Sequence, residues 1–292
     1  MSPSDLPAGV GLTSIAIALE RSVESGRPDR LFQDELAEAF CAAARQAGGP
    51  RSFPGFDVTL SDAIPMLRGY MALRTRFFDE QVLAACHAGC RQVVIVAAGL
   101  DARAFRLPWP QGVCLFELDT ADVLAFKKRV VQERGATPRC ERREVLIDLR
   151  TDWQPALLEA GFLRGEATVW LVEGLLVYLT NAENDRLLGT LRRLSAPGSR
   201  LVLEHADTRI LKQPGFVRNV TEHIERQGIS WESGIDAPLP WLARHGWRAE
   251  VLEAASFAHA LGRPVPPALD ASQGLGQLWL AHGTLDPGAL DG

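Results

Sequence analysis

Asp119, Asp148, Glu173 and His205 each stand at the end of a short apolar run, in VCLFELD, EVLID, TVWLVE and LVLEH. Polar side chains at the carboxyl ends of buried strands are where open α/β sheets hold their ligands. An earlier run, QVVIVAAGLDARAFRL at 92–107, leaves a β-branched segment through Ala97-Ala98-Gly99 and re-emerges with Asp101, Arg103 and Arg106. This is the outline of a nucleotide-binding strand and turn with only one of the glycines of G-x-G-x-x-G. A pyrophosphate needs close backbone approach at such a turn, so a dinucleotide is disfavoured.

The acid twenty residues beyond Gly99 is Asp119, the spacing at which a carboxylate accepts hydrogen bonds from ribose hydroxyls. A nucleoside without phosphates fits the pair, and S-adenosyl-L-methionine is one whose sulfonium and amino-acid end call for carboxylates and carbonyls. Asp148 can face an adenine amino group while Leu149 packs on the ring. Glu173 lies among apolar neighbours, where an unpaired carboxylate is expensive. Its partner is either a bound cation or an arginine, and burial alone would raise its pKa in the free protein. Arg74 and Arg76, in RTRFFD just upstream of the first strand, can reach a ligand carboxylate with bidentate geometry. His205 is the candidate general base and Tyr178 the candidate for orienting a methyl acceptor. For each, packing in the core is the competing account.

The elements that must position these groups alternate. Seven strand signals, at 92–97, 113–118, 143–147, 168–173, 200–205, 248–253 and 276–282, are separated by longer helical stretches. They predict an α/β fold with a seven-stranded, mostly parallel sheet and helices on both faces. Residues 1–90 are expected as an N-terminal helical extension, with helices from 11 to 48 broken at Arg27-Pro28-Asp29-Arg30 and a further helix over 62–88. Residues 91–292 form the expected core, with 206–247, including a helical stretch near 216–227, as a substrate cap after the fifth strand. The tail from Gly283 is expected to fray.

The chain has 292 residues, 47% hydrophobic and 23% charged, with a formal net charge of −5. That balance suits a globular enzyme and does not attract nucleic acid. No run approaches the ~20 apolar residues of a membrane span, and the start, MSPSDLPAGVGL, lacks the pattern of a signal peptide. The expectation is a cytoplasmic protein acting on a small molecule, with the oligomeric state left open. The five scattered cysteines, including Cys86-His87-x-x-Cys90, do not supply a zinc ligand set, so no metal is expected.

RTRFFD, VVIVAAGLDARAFRL, FELD, VLIDLRTDW and WLVEGLLVYLT, in that order, resemble the leucine carboxyl methyltransferase family, and ERSVESGRPDRLF resembles its bacterial branch. The resemblance spans about residues 11–205. It implies a class I, Rossmann-like methyltransferase. It also implies that Arg74, with Arg76 second, holds the methionine carboxylate, that Ala97 and Gly99 wrap the methionine portion, and that Asp119 binds the ribose. Asp148 and Leu149 are implied at the adenine and Glu173 near the methionine amino group. The implied reaction is methyl transfer to a carboxylate or hydroxyl oxygen, of a polyketide-type metabolite or of a peptide C-terminus. Two features depart from the eukaryotic members: Ala97 replaces a glycine, and Glu20-Arg21 stands where a cofactor-contacting lysine is expected. An NAD-dependent oxidoreductase and a non-catalytic binder of the cofactor are the competing readings.

Overall fold

The computed structural model describes residues 6–48, 59–212, 230–270, 272 and 276–286. Its strands are β1 (Gln92–Val96), β2 (Cys114–Asp119), β3 (Glu141–Leu146), β4 (Thr168–Val172), β5 (Arg200–Ala206), β6 (Trp247–Val251) and β7 (Leu278–Leu285). They form one seven-stranded sheet in the order β3-β2-β1-β4-β5-β7-β6. The first five strands pair in parallel, while β7 is antiparallel to both β5 and β6. The order reverses between β1 and β4, which makes the carboxyl ends of these two strands the topological switch point.

Side chains alternate across a strand, so each central strand serves two cores. Val93, Ile95, Val169, Leu171 and Val202 enter one cluster together with Ile15, Phe40, Phe77 and Phe126. Val94, Val96, Trp170, Val172, Leu201 and Leu203 enter the other with Leu157, Leu188, Leu191 and Leu242. Every residue of β1 and β4 is buried, which is why both read as continuous apolar runs rather than alternating ones.

Helices α1 (Thr13–Ser25), α2 (Glu35–Gln46), α3 (Leu60–Ala63), α4 (Tyr70–His87), α5 (Arg103–Arg106), α6 (Ala121–Glu133), α7 (Gln154–Glu159), α8 (Asn181–Leu194), α9 (Pro238–Arg244) and α10 (Ala254–Ala260) fill the connections. The single helix expected over 62–88 is three pieces: α3, a tight turn at Pro65–Leu67, and α4. Pro65 lacks the N–H that would continue a helix, and Gly69 at φ 77° restarts the chain in a left-handed conformation. The expected fraying from Gly283 is also corrected, since β7 continues to Leu285. Gly283 is paired on both sides, to Leu201 and to Ala249. A Cβ there would lie 3.0 Å from both the Ala249 Cβ and the Arg248 carbonyl oxygen. A glycine read as a loop signal therefore permits close strand approach in mid-sheet. The helical stretch expected near 216–227 lies outside the described residues.

Candidate active site

The carboxyl ends of β1, β2, β4 and β5 converge on one cleft. β1 leaves the sheet at Ala97, φ 58°, the only non-glycine residue at positive φ among those described; Gly99 follows at φ 50°. Asp119, ending β2, secures this turn: its Oδ2 accepts the Gly99 N–H at 2.6 Å and its Oδ1 accepts the Thr120 N–H at 2.7 Å. Burial raises the Asp119 pKa against the opposing pull of these N–H groups. A carboxylate has about four lone-pair sites, so two N–H donors leave it able to accept from a ligand.

Helix α1 covers the other side of the turn. A Cβ on Gly99 would meet Ser14 at 3.1 Å. Arg21 donates from Nη2 to the Leu100 carbonyl at 2.6 Å and from Nε to Asp34 at 2.8 Å. Glu20 accepts the Ser61 N–H at 2.6 Å. In place of a cofactor-contacting lysine, this pair ties α1 to the turn and to α3. Left-handed backbone costs a non-glycine residue roughly 1–2 kcal/mol, partly offset in the unfolded chain by glycine's greater freedom. Ala97→Gly is accordingly expected to raise stability by roughly 0.5–1 kcal/mol, read as a higher urea midpoint at unchanged slope.

Next to the turn is a buried ion network. Glu173, just past β4, accepts from Arg74 Nε at 2.9 Å and from Arg103 Nη1 at 2.6 Å. Arg103, 2% exposed, also contacts Asp79 at 2.7 Å and Asp101, with the Phe78 ring under its guanidinium. Burial would raise the Glu173 pKa, but Arg103 and Arg74 outweigh it and hold the carboxyl below its usual range. The rise expected in the free protein is thus reversed, because both arginines are already in place. Arg106 braces Asp79 at 2.6 Å. Arg74 and Arg76 lie two residues apart on α4 and so point to different sides. Arg76 pairs with Glu80 at 2.6 Å, half-exposed and away from the cleft.

Asp148 and Leu149 follow β3. Asp148 is half-exposed, accepts the Arg150 N–H at 3.0 Å and pairs with the Arg150 guanidinium at 2.7 Å, which lowers its pKa. Leu149 rests on the core that contains Trp153.

A cavity opens between α1, α4 and the ends of β4 and β5. Ile17, Ile64, Leu67, Met71, Leu176 and Leu278 give it apolar walls, and Arg74, Gly174, Glu204, His205, Tyr178 and Trp231 also line it. Tyr178 has Trp231 and Thr13 beside its hydroxyl, and burial raises its pKa. His205 is 0% exposed, and burial pushes its pKa down to about 4. Its Nε2 lies 3.3 Å from Asn184 Nδ2 and 3.4 Å from Ser233 Oγ, while Nδ1 is buried without a partner. Ser233 Oγ donates to the Leu176 carbonyl at 3.0 Å and accepts from Asn184 Nδ2 at 3.0 Å.

Two cavity residues escaped the sequence reading. Glu204, one residue before His205, accepts from Arg74 Nη1 at 2.9 Å and from the hydroxyl of Tyr70, itself 1% exposed. The available signal was an acid inside the buried run LVLEH, the same signal that singled out Glu173.

Among the described residues no helix is long and apolar enough to cross a membrane. The leucine carboxyl methyltransferase family model matches residues 14–192. A protein of Parafrankia sp., provisionally named an S-adenosyl-L-methionine-dependent methyltransferase, is 48% identical over 89% of this chain and 83% of its own. One of Rhodococcus jostii with the same provisional name is 40% identical over 90% of each chain. The fold is shared with a crystal structure of a DUF574-family protein from Streptomyces avermitilis, at TM-score 0.55 and 16% identity over 85% of this chain and 97% of that one. It is also shared with one from Thermobifida fusca, provisionally titled a methyltransferase, at TM-score 0.53 and 17% identity over 87% and 90%. With this class I, Rossmann-like fold and these relatives, the chain belongs to the leucine carboxyl methyltransferase family and is an S-adenosyl-L-methionine-dependent methyltransferase.

Proposed function

We propose that this enzyme methylates an oxygen, carboxylate or hydroxyl, of a small and largely apolar metabolite of polyketide or similar type, seated in the cavity beside Glu173. The observation that carries the reading is the meeting of two sites at Arg74 and Gly174. Both residues line the apolar cavity, and Arg74 also contacts Glu173 at the switch-point cleft. The cleft suits the cofactor because its polar groups are carboxylates and backbone N–H groups beside a positive-φ turn, with no phosphate cradle.

In this reading Asp119 accepts from the ribose hydroxyls, and Ala97 and Gly99 shape the turn around the methionine portion. Asp148 and Leu149 serve the adenine, Glu173 the ammonium, and Arg74 the methionine carboxylate. Arg76, turned toward Glu80, is left on the outer side of α4. When bound, the cofactor supplies a methyl carbon already activated by its sulfonium, so the chain's task is alignment and exclusion of water. Trp231, from the segment 206–247, lines the cavity, which supports that segment as part of a substrate cap. Tyr178 orients the acceptor. For a hydroxyl acceptor, the proton passes to the His205 imidazole; a carboxylate acceptor requires no base.

The test is incubation with methyl-labelled cofactor and a panel of aromatic hydroxyl and carboxyl compounds alongside a peptide with a free C-terminus. Label on a small-molecule oxygen is expected. Label on nitrogen, carbon or the peptide alone would sink the reading. Asp119→Ala is expected to weaken binding of S-adenosylhomocysteine by roughly 10- to 150-fold, corresponding to about 1.5–3 kcal/mol for a hydrogen bond to a charged group. Native circular dichroism with unchanged calorimetric affinity would remove Asp119 from the ribose.

A further inference from the structure

We infer that the site tells cofactor from product by charge: a buried ion network with one carboxylate in excess holds S-adenosyl-L-methionine, a net cation, more tightly than S-adenosylhomocysteine, whose sulfur is uncharged, and Glu204 sets this preference. The inference rests on the cofactor lying in the cleft beside Glu173. Asp79, Asp101, Glu173 and Glu204 are the four carboxylates of the network, and Arg74, Arg103 and Arg106 its three guanidiniums. The ion pairs that flank it are balanced within themselves: Arg21 with Asp34, and Lys127 and Arg142 with Glu117 and Glu144. Asp119 adds to the excess, since its hydrogen bonds come from the Gly99 and Thr120 N–H groups.

The excess lies where cleft and cavity meet. Glu204, Arg74 and Gly174 all line the cavity, and a Cβ on Gly174 would stand 3.5 Å from Arg74 Nη2 and 3.7 Å from Glu204. Arg74 gives Nε to Glu173 and Nη1 to Glu204. Of its five N–H donors, those on Nη2 are left for the methionine carboxylate. The carboxylate and ammonium of the cofactor cancel, so its net charge is that of the sulfonium, the atom whose methyl group must face the acceptor. A net negative charge in a dry site is unfavourable until a cation joins it. Burial raises the Glu204 pKa, and Glu173 adds to the rise against the pull of Arg74, which is the same imbalance expressed at one group. Methyl transfer breaks the carbon–sulfur bond and leaves its electron pair on sulfur. The product has then lost the charge that matched the network, whether the acceptor was a carboxylate or a hydroxyl, and its release is favoured.

The test measures binding rather than turnover. The full chain is titrated calorimetrically at neutral pH, with no acceptor present, with S-adenosyl-L-methionine, S-adenosylhomocysteine and sinefungin, an analogue that carries an ammonium in place of the methyl sulfonium. The two cations are each expected to bind at least about tenfold more tightly than S-adenosylhomocysteine. Glu204→Gln keeps the shape and removes the charge, and is expected to bring both ratios to about threefold or less. Glu204→Asp keeps the charge and should retain the preference. S-adenosylhomocysteine binding as tightly as either cation in the unsubstituted protein overturns the inference, and these ratios decide the matter alone if neither variant folds. So does a preference that survives Glu204→Gln or is lost in Glu204→Asp. Asp119→Ala separates this inference from the placement it rests on. If that substitution weakens S-adenosylhomocysteine while the ratios in the unsubstituted protein are near one, the cleft holds the cofactor and only the selection by charge fails. If it leaves the affinity unchanged, the placement fails and takes the inference with it.

Discussion

Arg103→Met is expected to destabilise the protein by about 3–5 kcal/mol, the usual result of removing one member of a buried ion network. The guanidinium sits between three carboxylates, those of Asp79, Asp101 and Glu173, and is 2% exposed. Asp101 is held down to about pKa 2: burial alone would raise it, and Arg103 is the largest opposing influence. Methionine keeps much of the volume and the contact with Phe78 but leaves the three acids facing one another. Arg106 still serves Asp79 and Arg74 still serves Glu173, which keeps the loss below that of three independent pairs. Urea unfolding at neutral pH measures the effect, and a loss under about 1 kcal/mol would mean that water screens the network as it does a surface pair. Part of the deficit should return in acid, where the orphaned carboxylates take up protons.

His205→Asn is expected to lower the rate on a hydroxyl acceptor by about 10²–10⁴-fold, the usual contribution of a positioned base, with S-adenosylhomocysteine affinity nearly unchanged. The working form is the neutral imidazole. A pKa of about 4 means that this form predominates at every pH above that value. The rate should therefore be level from neutrality down to about pH 5 and fall below it, instead of declining near the ordinary histidine pKa of about 6.5. On a carboxylate acceptor the substitution should change the rate little. A pH profile identical in the substituted and unsubstituted enzymes would leave His205 a packing residue between Trp241 and Trp279.

The strands were legible because a parallel sheet buried on both faces writes itself as uninterrupted apolar runs. The acids closing those runs mark the cleft for the same reason, since a carboxylate ending a buried run needs a partner. Two things were hidden. Arg103 reads as one more charge after the turn, yet its partners Asp79 and Glu173 are 24 and 70 residues away, and spacing does not report which distant arginine a buried acid finds. Tyr70 and Arg74 lie one helical turn apart whether the helix starts at 62 or at 70, but their common partner Glu204 is 134 residues from Tyr70, and spacing gives no sign of it. Gly283 misled in the opposite direction, since a glycine that lets two strands approach looks the same in sequence as one that releases a loop.

The antiparallel β7 has a consequence for synthesis. The ribosome delivers β6 before β7, yet in the finished sheet β6 hydrogen-bonds only to β7, and β7 lies between it and β5. On the nascent chain β6 has no template, and β5 presents an unpaired edge until residues 278–285 emerge from the exit tunnel. Released chains truncated between Val251 and Leu278 would carry two open strands, the form most prone to pair with a neighbour. Such truncated chains should therefore be more protease-sensitive than the full chain and depend more on chaperones.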